Sequence, residues 1–124
     1  MPDRWTHTAP AQQIVAGSGA VDVRAEQLRA LGVRRAMLVT TRGRLDSEGG
    51  ETVVSRCGRA LAATFDAVEP HVPAPVVQRG VAELRTAGVD GIVSFGGGSA
   101  VDTAKALAFF AEGEPSRRPT ATFF

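Results

Sequence analysis

The chain has 124 residues, enough for one domain with a single hydrophobic core. Its 44% hydrophobic and 22% charged residues are ordinary for a globular protein, and a net charge of +1 without a basic block argues against a nucleic-acid partner. The single cysteine excludes an intrachain disulfide. Because neither a secretory signal nor an apolar run of roughly 18 residues is visible, the sequence predicts a cytoplasmic protein without a membrane anchor.

Strand and helix patterns alternate along the chain, which predicts the α/β class, a parallel sheet with helices packed on its faces. The apolar run inside 35–41 suits a buried parallel strand. In chain order the predicted elements are a loose polar stretch (1–10), a strand (13–16), a turn (Gly17, Ser18, Gly19), a helix (23–31) capped by Asp22 and Gly32, a strand (35–41), a polar turn (42–50), a helix (51–64), a short strand (65–68), a proline-rich loop (70–75), a helix from Pro75 to Gly88, a strand (91–95), a helix (100–111) and the start of another strand (119–124).

The sharpest feature is the run Gly96-Gly97-Gly98-Ser99 between the strand 91–95 and the following helix. A tight glycine turn there brings free backbone N–H groups and the positive end of a helix dipole to one point, which favours a phosphate or pyrophosphate. The run is neither a GK[ST]-ending phosphate loop nor a GxGxxG fingerprint. A tight turn that binds nothing is the alternative.

Two neighbours of the turn have structural as well as functional interpretations. Ser99 can cap the helix, with Asp102 bonding back to it as in a capping box. Asp102 can also pair with Lys105 on the helix surface. Since a carboxylate repels a phosphate, a ligand would need Asp102 turned aside or used on ribose or nicotinamide amide groups.

The segment GGGSAVDTAKALA closely resembles the GGGSxxDxAKxxA signature of the iron-containing alcohol dehydrogenases, a family with glycerol dehydrogenase-like and maleylacetate reductase-like members. The earlier stretch IVAGSGAVDVRAEQLRALGVRRAMLVTT is similar to the family's glycine-marked hairpin, first helix and first nucleotide-binding strand. The resemblance covers about 13–110. It implies a Rossmann-like fold with helices on both faces, the N-terminal domain of a two-domain dehydrogenase.

The resemblance also implies a binding site for NAD or NADP. Gly97, Gly98 and Ser99 would hold the pyrophosphate, Gly96 would shape the turn, and Asp102 matches an acid of the family's cofactor site. The cofactor-binding set is completed by Thr40 and Thr41, where many members carry an Asp that holds the adenosine ribose. Because Thr41, unlike Asp, does not repel a 2′-phosphate, and Arg42 and Arg44 lie nearby, NADP is expected to bind about as well as NAD.

The family's divalent metal, iron or zinc, is held by a helical C-terminal domain that these 124 residues do not contain. His7 and His71 do not match its ligands, so we expect neither a metal site nor a catalytic residue in this chain. The segment Pro119-Thr120-Ala121 begins like the family's Pro-Thr-Thr segment and then departs. We therefore interpret 1–124 as the N-terminal dinucleotide-binding domain alone, inactive by itself.

The complete enzyme is expected to transfer hydride between the nicotinamide and a small alcohol, an aldehyde or a maleylacetate-type substrate. The alternatives are a non-catalytic nucleotide-binding module, a relic of a truncated gene, or a fragment of a dehydroquinate synthase-like lyase; the AVDTAK continuation favours the dehydrogenases. Apolar residues such as Phe109, Phe110, Phe123 and Phe124, left without a partner surface, would favour association or poor solubility, and a homo-oligomer is one expected form of that association. Cys57, in an alanine-rich helical pattern without an adjacent base, is expected to be a packed residue.

Overall fold

A six-stranded sheet organises the chain. The computed structural model describes the backbone of 5–9, 12–16 and 120–123 and the complete residues 25–111. Within these, the elements are β1 (Trp5–Ala9), β2 (Gln12–Ala16), α1 (Ala25–Ala30), β3 (Ala36–Val39), α2 (Arg42–Leu45), α3 (Glu48–Cys57), a 3-10 turn (Gly58–Ala60), β4 (Leu61–Phe65), α4 (Ala74–Thr86), β5 (Gly91–Ser94), α5 (Gly98–Phe110) and β6 (Thr120–Phe123).

The strands follow the spatial order β1-β2-β6-β5-β3-β4, and all neighbours except β1 and β2 are parallel. In the centre Leu38 of β3 pairs with Val93 of β5 and with Thr64 of β4. The predicted parallel pairing of the strands at 35–41 and 91–95 is therefore confirmed. Because both strands run the same way, the glycine turn lies at the carboxyl edge of the sheet.

Helices pack on both faces of the sheet, as predicted for a Rossmann-like domain. Met37, Val39 and Ile92 contribute to one apolar cluster, shared with α4 and α5. Leu38 and Val93 contribute to a second cluster, shared with α1 and α3. These strand residues are at most 1% exposed, which explains why their sequence is continuously apolar instead of alternating. No helix in the described part of the chain is long and apolar enough to cross a bilayer.

Three segments differ from the sequence-based expectations. The stretch 1–10, expected to be loose, contains β1, which pairs with β2 through the backbone and so needs no apolar pattern. The expected turn 42–50 contains α2 and the start of α3, because Thr41 and Ser47 act as N-caps. The expected helix 51–64 ends at Cys57, since Gly58 adopts φ 54.

Smaller shifts follow from these. Strand β4 occupies 61–65 where the expected strand was 65–68, and α5 begins at Gly98 where the expected start was residue 100. Strand β6 falls within 119–124, where a strand start was predicted. The predicted turn at 17–19 and the predicted N-cap Asp22 lie outside the described residues.

Candidate functional site

The glycine turn delivers the N-terminus of α5 to the carboxyl edge of β5. Gly97 is the N-cap of the helix, and its carbonyl oxygen accepts the N–H groups of Ala100 and Val101 at 3.1 and 3.2 Å. The N–H groups of Gly98 and Ser99 precede those donors and belong to the first turn, where no intrahelical acceptor is available. Together with the helix dipole they form a point that favours negative charge.

The fold does not require glycine equally at the three positions of the turn. Gly96 has φ 143, and a Cβ on it would lie 3.2 Å from the Cβ of Ala100, so the fold itself requires glycine there. A Cβ on Gly97 or Gly98 would meet no heavy atom within 4 Å, and neither residue has a positive φ. Both are exposed, so the backbone of this pair is open to an approaching ligand.

Ser99 and Asp102 occupy successive turns of α5. The prediction that Ser99 caps the helix is wrong, because α5 begins two residues earlier than expected and Gly97 takes the cap position without a side-chain hydrogen bond. The carbonyl of Ser99 accepts the Thr103 hydroxyl at 2.7 Å. Asp102 is exposed, and its predicted pairing with Lys105 stays a prediction.

Thr40 ties together the ends of three neighbouring strands. Its hydroxyl donates to the carbonyl of Phe95 at 2.6 Å, and its N–H donates to the carbonyl of Phe65 at 3.0 Å. The side chain is fully buried. Its observed role is thus to hold the end of β5, from which the glycine turn departs, and its predicted contact with a cofactor stays a prediction.

Thr41 follows directly and is half-buried. Its hydroxyl oxygen accepts the N–H of Arg44 at 3.2 Å, which caps the short helix α2. The backbone of Thr41 forms an isolated antiparallel bridge with Ala67, just beyond the end of β4. The predicted ribose-binding position therefore lies at the same sheet edge as the glycine turn.

The two arginines of α2 have different environments. Arg42 forms an ion pair with Asp66 at 2.7 Å and a longer one with Asp46 at 3.6 Å. The hydrogen bond to Asp66 raises the pKa of the Arg42 guanidinium. Arg44 runs beside the glycine turn, since its Cγ lies 3.8 Å from the point that a Cβ on Gly96 would occupy.

Sequence reasoning missed Asp66, which is 24 positions from its partner Arg42. Its only sequence signal is an acid directly after a strand. The hydroxyl of Ser94, buried at the end of β5, was missed as well; within 25–111 it has no hydrogen-bond partner. Both residues lie at the carboxyl edge of the sheet.

The described residues do not fit a catalytic metal. No three His, Cys, Asp or Glu among them are grouped closely enough to hold an ion. His71 is exposed in the loop before α4, and the side chain of His7 is outside the described part. Cys57 is buried in the second cluster, as expected for a packed residue, and burial raises the pKa of its thiol to about 11.

Known proteins are similar to this chain in sequence. A model of the family described as iron-containing alcohol dehydrogenase matches residues 11–122. A maleylacetate reductase of Rhizobium sp. (strain MTP-10005) is 39% identical over 101 residues, which are 82% of this chain and 28% of that protein. A choline dehydrogenase of Bacillus subtilis (strain 168) is 35% identical over 102 residues, 81% of this chain and 25% of that protein.

Solved structures share the fold. The crystal structure of the Rhizobium maleylacetate reductase superposes with a TM-score of 0.68 at 28% identity, covering 99% of this chain and 43% of that one. A 1,3-propanediol oxidoreductase superposes with a TM-score of 0.70 at 29% identity, covering 90% and 28%. The chain thus spans less than half the length of these relatives. It belongs to the iron-containing alcohol dehydrogenase family, as part of its Rossmann-like N-terminal region.

Proposed function

We propose that this chain is the dinucleotide-binding part of an oxidoreductase that transfers hydride between NAD or NADP and a small alcohol, an aldehyde or a maleylacetate-type substrate. Relatives named maleylacetate reductase, 4-hydroxybutyrate dehydrogenase and choline dehydrogenase support this reaction class. Since the chain spans only part of each, the proposed activity is that of a longer enzyme. The proposed division is one N-terminal dinucleotide-binding domain over 1–124, with the substrate and the iron or zinc held elsewhere.

The observation that carries the proposal is the open backbone at Gly97 and Gly98. Glycine inside a helix costs up to about 0.5–1 kcal/mol relative to alanine, yet neither backbone strain nor packing within the described residues requires it at Gly98, the first residue of α5. Gly97 is the N-cap, a position that accepts glycine readily. A ligand that needs close contact with the N–H groups of the first helical turn would explain the glycine at 98 and the open backbone of the pair. The pyrophosphate of a dinucleotide is such a ligand.

We assign the following roles to the residues around the proposed pyrophosphate site. The backbone of Gly97, Gly98 and Ser99 binds the pyrophosphate, while Gly96 shapes the turn and Thr40 positions it through Phe95. Thr41, at the end of the neighbouring strand, is assigned to the adenosine ribose. Asp102, exposed one turn into α5, is assigned to ribose hydroxyls or the nicotinamide amide. When bound, the nicotinamide supplies the hydride acceptor or donor.

The chain by itself is then a binding module without turnover. Hydride transfer needs the nicotinamide, the substrate and the metal in one closed cleft, and the described residues offer a seat for the dinucleotide only. Its cytoplasmic location and its association into homo-oligomers remain predictions.

The test is a calorimetric titration of the purified chain with ADP-ribose, NAD and NADP. We expect all three to bind, and Gly97→Asp to abolish binding, because a carboxylate would then face the pyrophosphate at close range. The control for the loss of a glycine alone is Gly43→Ala, since Gly43 is an exposed helical glycine whose Cβ also meets nothing within 4 Å. Absence of ADP-ribose binding by the folded wild-type chain would contradict the proposal, as would unchanged binding by folded Gly97→Asp.

A further inference from the structure

We propose that Arg44 is an additional member of the dinucleotide site and pairs with the pyrophosphate, whereas Arg42 is withheld from it by Asp66 and Asp46. This inference rests on the proposed function and deepens it. It concerns the charge of the site, to which the backbone N–H groups of α5 contribute only partial charges.

Two hydrogen bonds, one to the N–H and one to the carbonyl oxygen, hold the backbone of Arg44 in place. Its N–H donates to the hydroxyl of Thr41 at 3.2 Å, and its carbonyl oxygen accepts the Ser47 hydroxyl at 2.5 Å. Helix α3 packs closely on this point, because a Cβ on Gly50 would collide with the carbonyl oxygens of Arg44 and Leu45. The residue therefore sits on a rigid corner between two helices.

From this position the first part of the Arg44 side chain lies beside the glycine turn. Its Cγ lies 3.8 Å from the position of a Cβ on Gly96, two residues before the first residue of α5. Beyond Cγ the side chain continues through Cδ and Nε to the guanidinium, which is long enough to reach a phosphate held at Gly98. A planar guanidinium binds phosphate oxygens through two parallel hydrogen bonds.

The charges on α2 separate the two arginines. Residues two apart on a helix point to different sides, and Arg42 is directed to Asp66, beyond β4. With a second carboxylate at 3.6 Å, the charge of Arg42 is already compensated. For Arg44, no carboxylate of the described residues lies within 4 Å, in contrast to Arg42.

The experiment compares Arg44→Ala with Arg42→Ala, a matched pair two positions apart in which both side chains are exposed. Each variant, after its thermal unfolding has been compared with that of the wild type, is titrated with ADP-ribose and with ADP-ribose 2′-phosphate. We expect Arg44→Ala to weaken both ligands by the same factor, about tenfold or more, because both carry the pyrophosphate. Arg42→Ala should change either affinity by less than about twofold.

A second variant, Arg44→Lys, keeps the charge but loses the two parallel hydrogen bonds, so its loss should be intermediate. Three results would overturn the inference: equal losses in Arg42→Ala and Arg44→Ala, a loss in Arg44→Ala confined to the 2′-phosphorylated ligand, or no loss in Arg44→Ala while the wild type binds ADP-ribose. The last result would leave the proposed function intact. A wild-type chain that binds neither ligand would remove both proposals together.

Discussion

Replacing Gly98 by alanine should make the free chain more stable and its ligand binding weaker. The added methyl meets nothing within 4 Å, and the residue has no positive φ, so the alanine fits without strain. The loss of unfolded-state entropy at such a compatible position amounts to about 0.4–1 kcal/mol. For a chain of this size that raises Tm by roughly 2–5 °C.

The matched variant is Gly96→Ala, two residues earlier. Here φ 143 is a conformation that alanine rarely adopts, and its Cβ would lie 3.2 Å from that of Ala100. A strained backbone of this kind costs on the order of 1–3 kcal/mol, so Tm should fall instead. The two substitutions add the same methyl group and are expected to move Tm in opposite directions.

Urea unfolding of the free chains measures the effect on stability, and titration with ADP-ribose measures the effect on ligand binding. Gly98→Ala should lose affinity by about tenfold or more, equivalent to about 1.4 kcal/mol, because the methyl group stands where the ligand approaches the backbone. If Gly98→Ala destabilised the free chain as much as Gly96→Ala, the fold would require both glycines. The reasoning that assigns Gly98 to a ligand would then be refuted.

Three further predictions address the strand ends and the core. Thr40→Val removes the buried hydroxyl that donates to Phe95 at 2.6 Å, so urea unfolding should show a loss of about 1–3 kcal/mol; an unchanged midpoint would contradict the tie between the strands. The Cys57 thiol, whose pKa is raised by burial from 9.0 to about 11, keeps its proton in the folded chain while the unfolded chain loses it; stability should therefore fall as pH rises from 9.0 toward 11, and Cys57→Ala should remove that part of the slope. Thr41→Asp should preserve Tm and shift the affinity ratio toward NAD over NADP, measured by paired titrations; an unchanged ratio would place the 2′-phosphate elsewhere.

The parts of the fold that sequence predicted are those in which local pattern and tertiary role coincide. Strands β3 and β5 are buried on both faces, so their apolar runs identify them without reference to any partner. By contrast, β1 has a polar sequence and is held by backbone pairing with β2. Strand β4, with the sequence LAATF, is separated from α3 only by the 3-10 turn, and its alanines suit both a helix and a strand.

The glycines of 42–50 led to the wrong prediction of a turn for a related reason. Glycine indicates a turn when only its neighbours in sequence are considered. Gly50 instead lies inside α3, where its missing Cβ admits the carbonyl oxygens of Arg44 and Leu45. The sequence contains the glycine but not the backbone that presses against it. In the same way the GGGS run predicted where a ligand would bind, whereas the ion pair between Arg42 and Asp66 depends on strand order and was invisible.

The residue at position 41 separates what the fold requires from what a ligand requires. Thr41 caps α2 by accepting the N–H of Arg44, and aspartate is at least as good an N-cap as threonine. The fold therefore does not select between them, although many family members are expected to carry the acid at this position. What differs is the charge beside the proposed ribose site. Arg42 is already paired there with Asp66. A threonine there adds no carboxylate to the sheet edge, which favours the service of Arg44 to an anionic ligand.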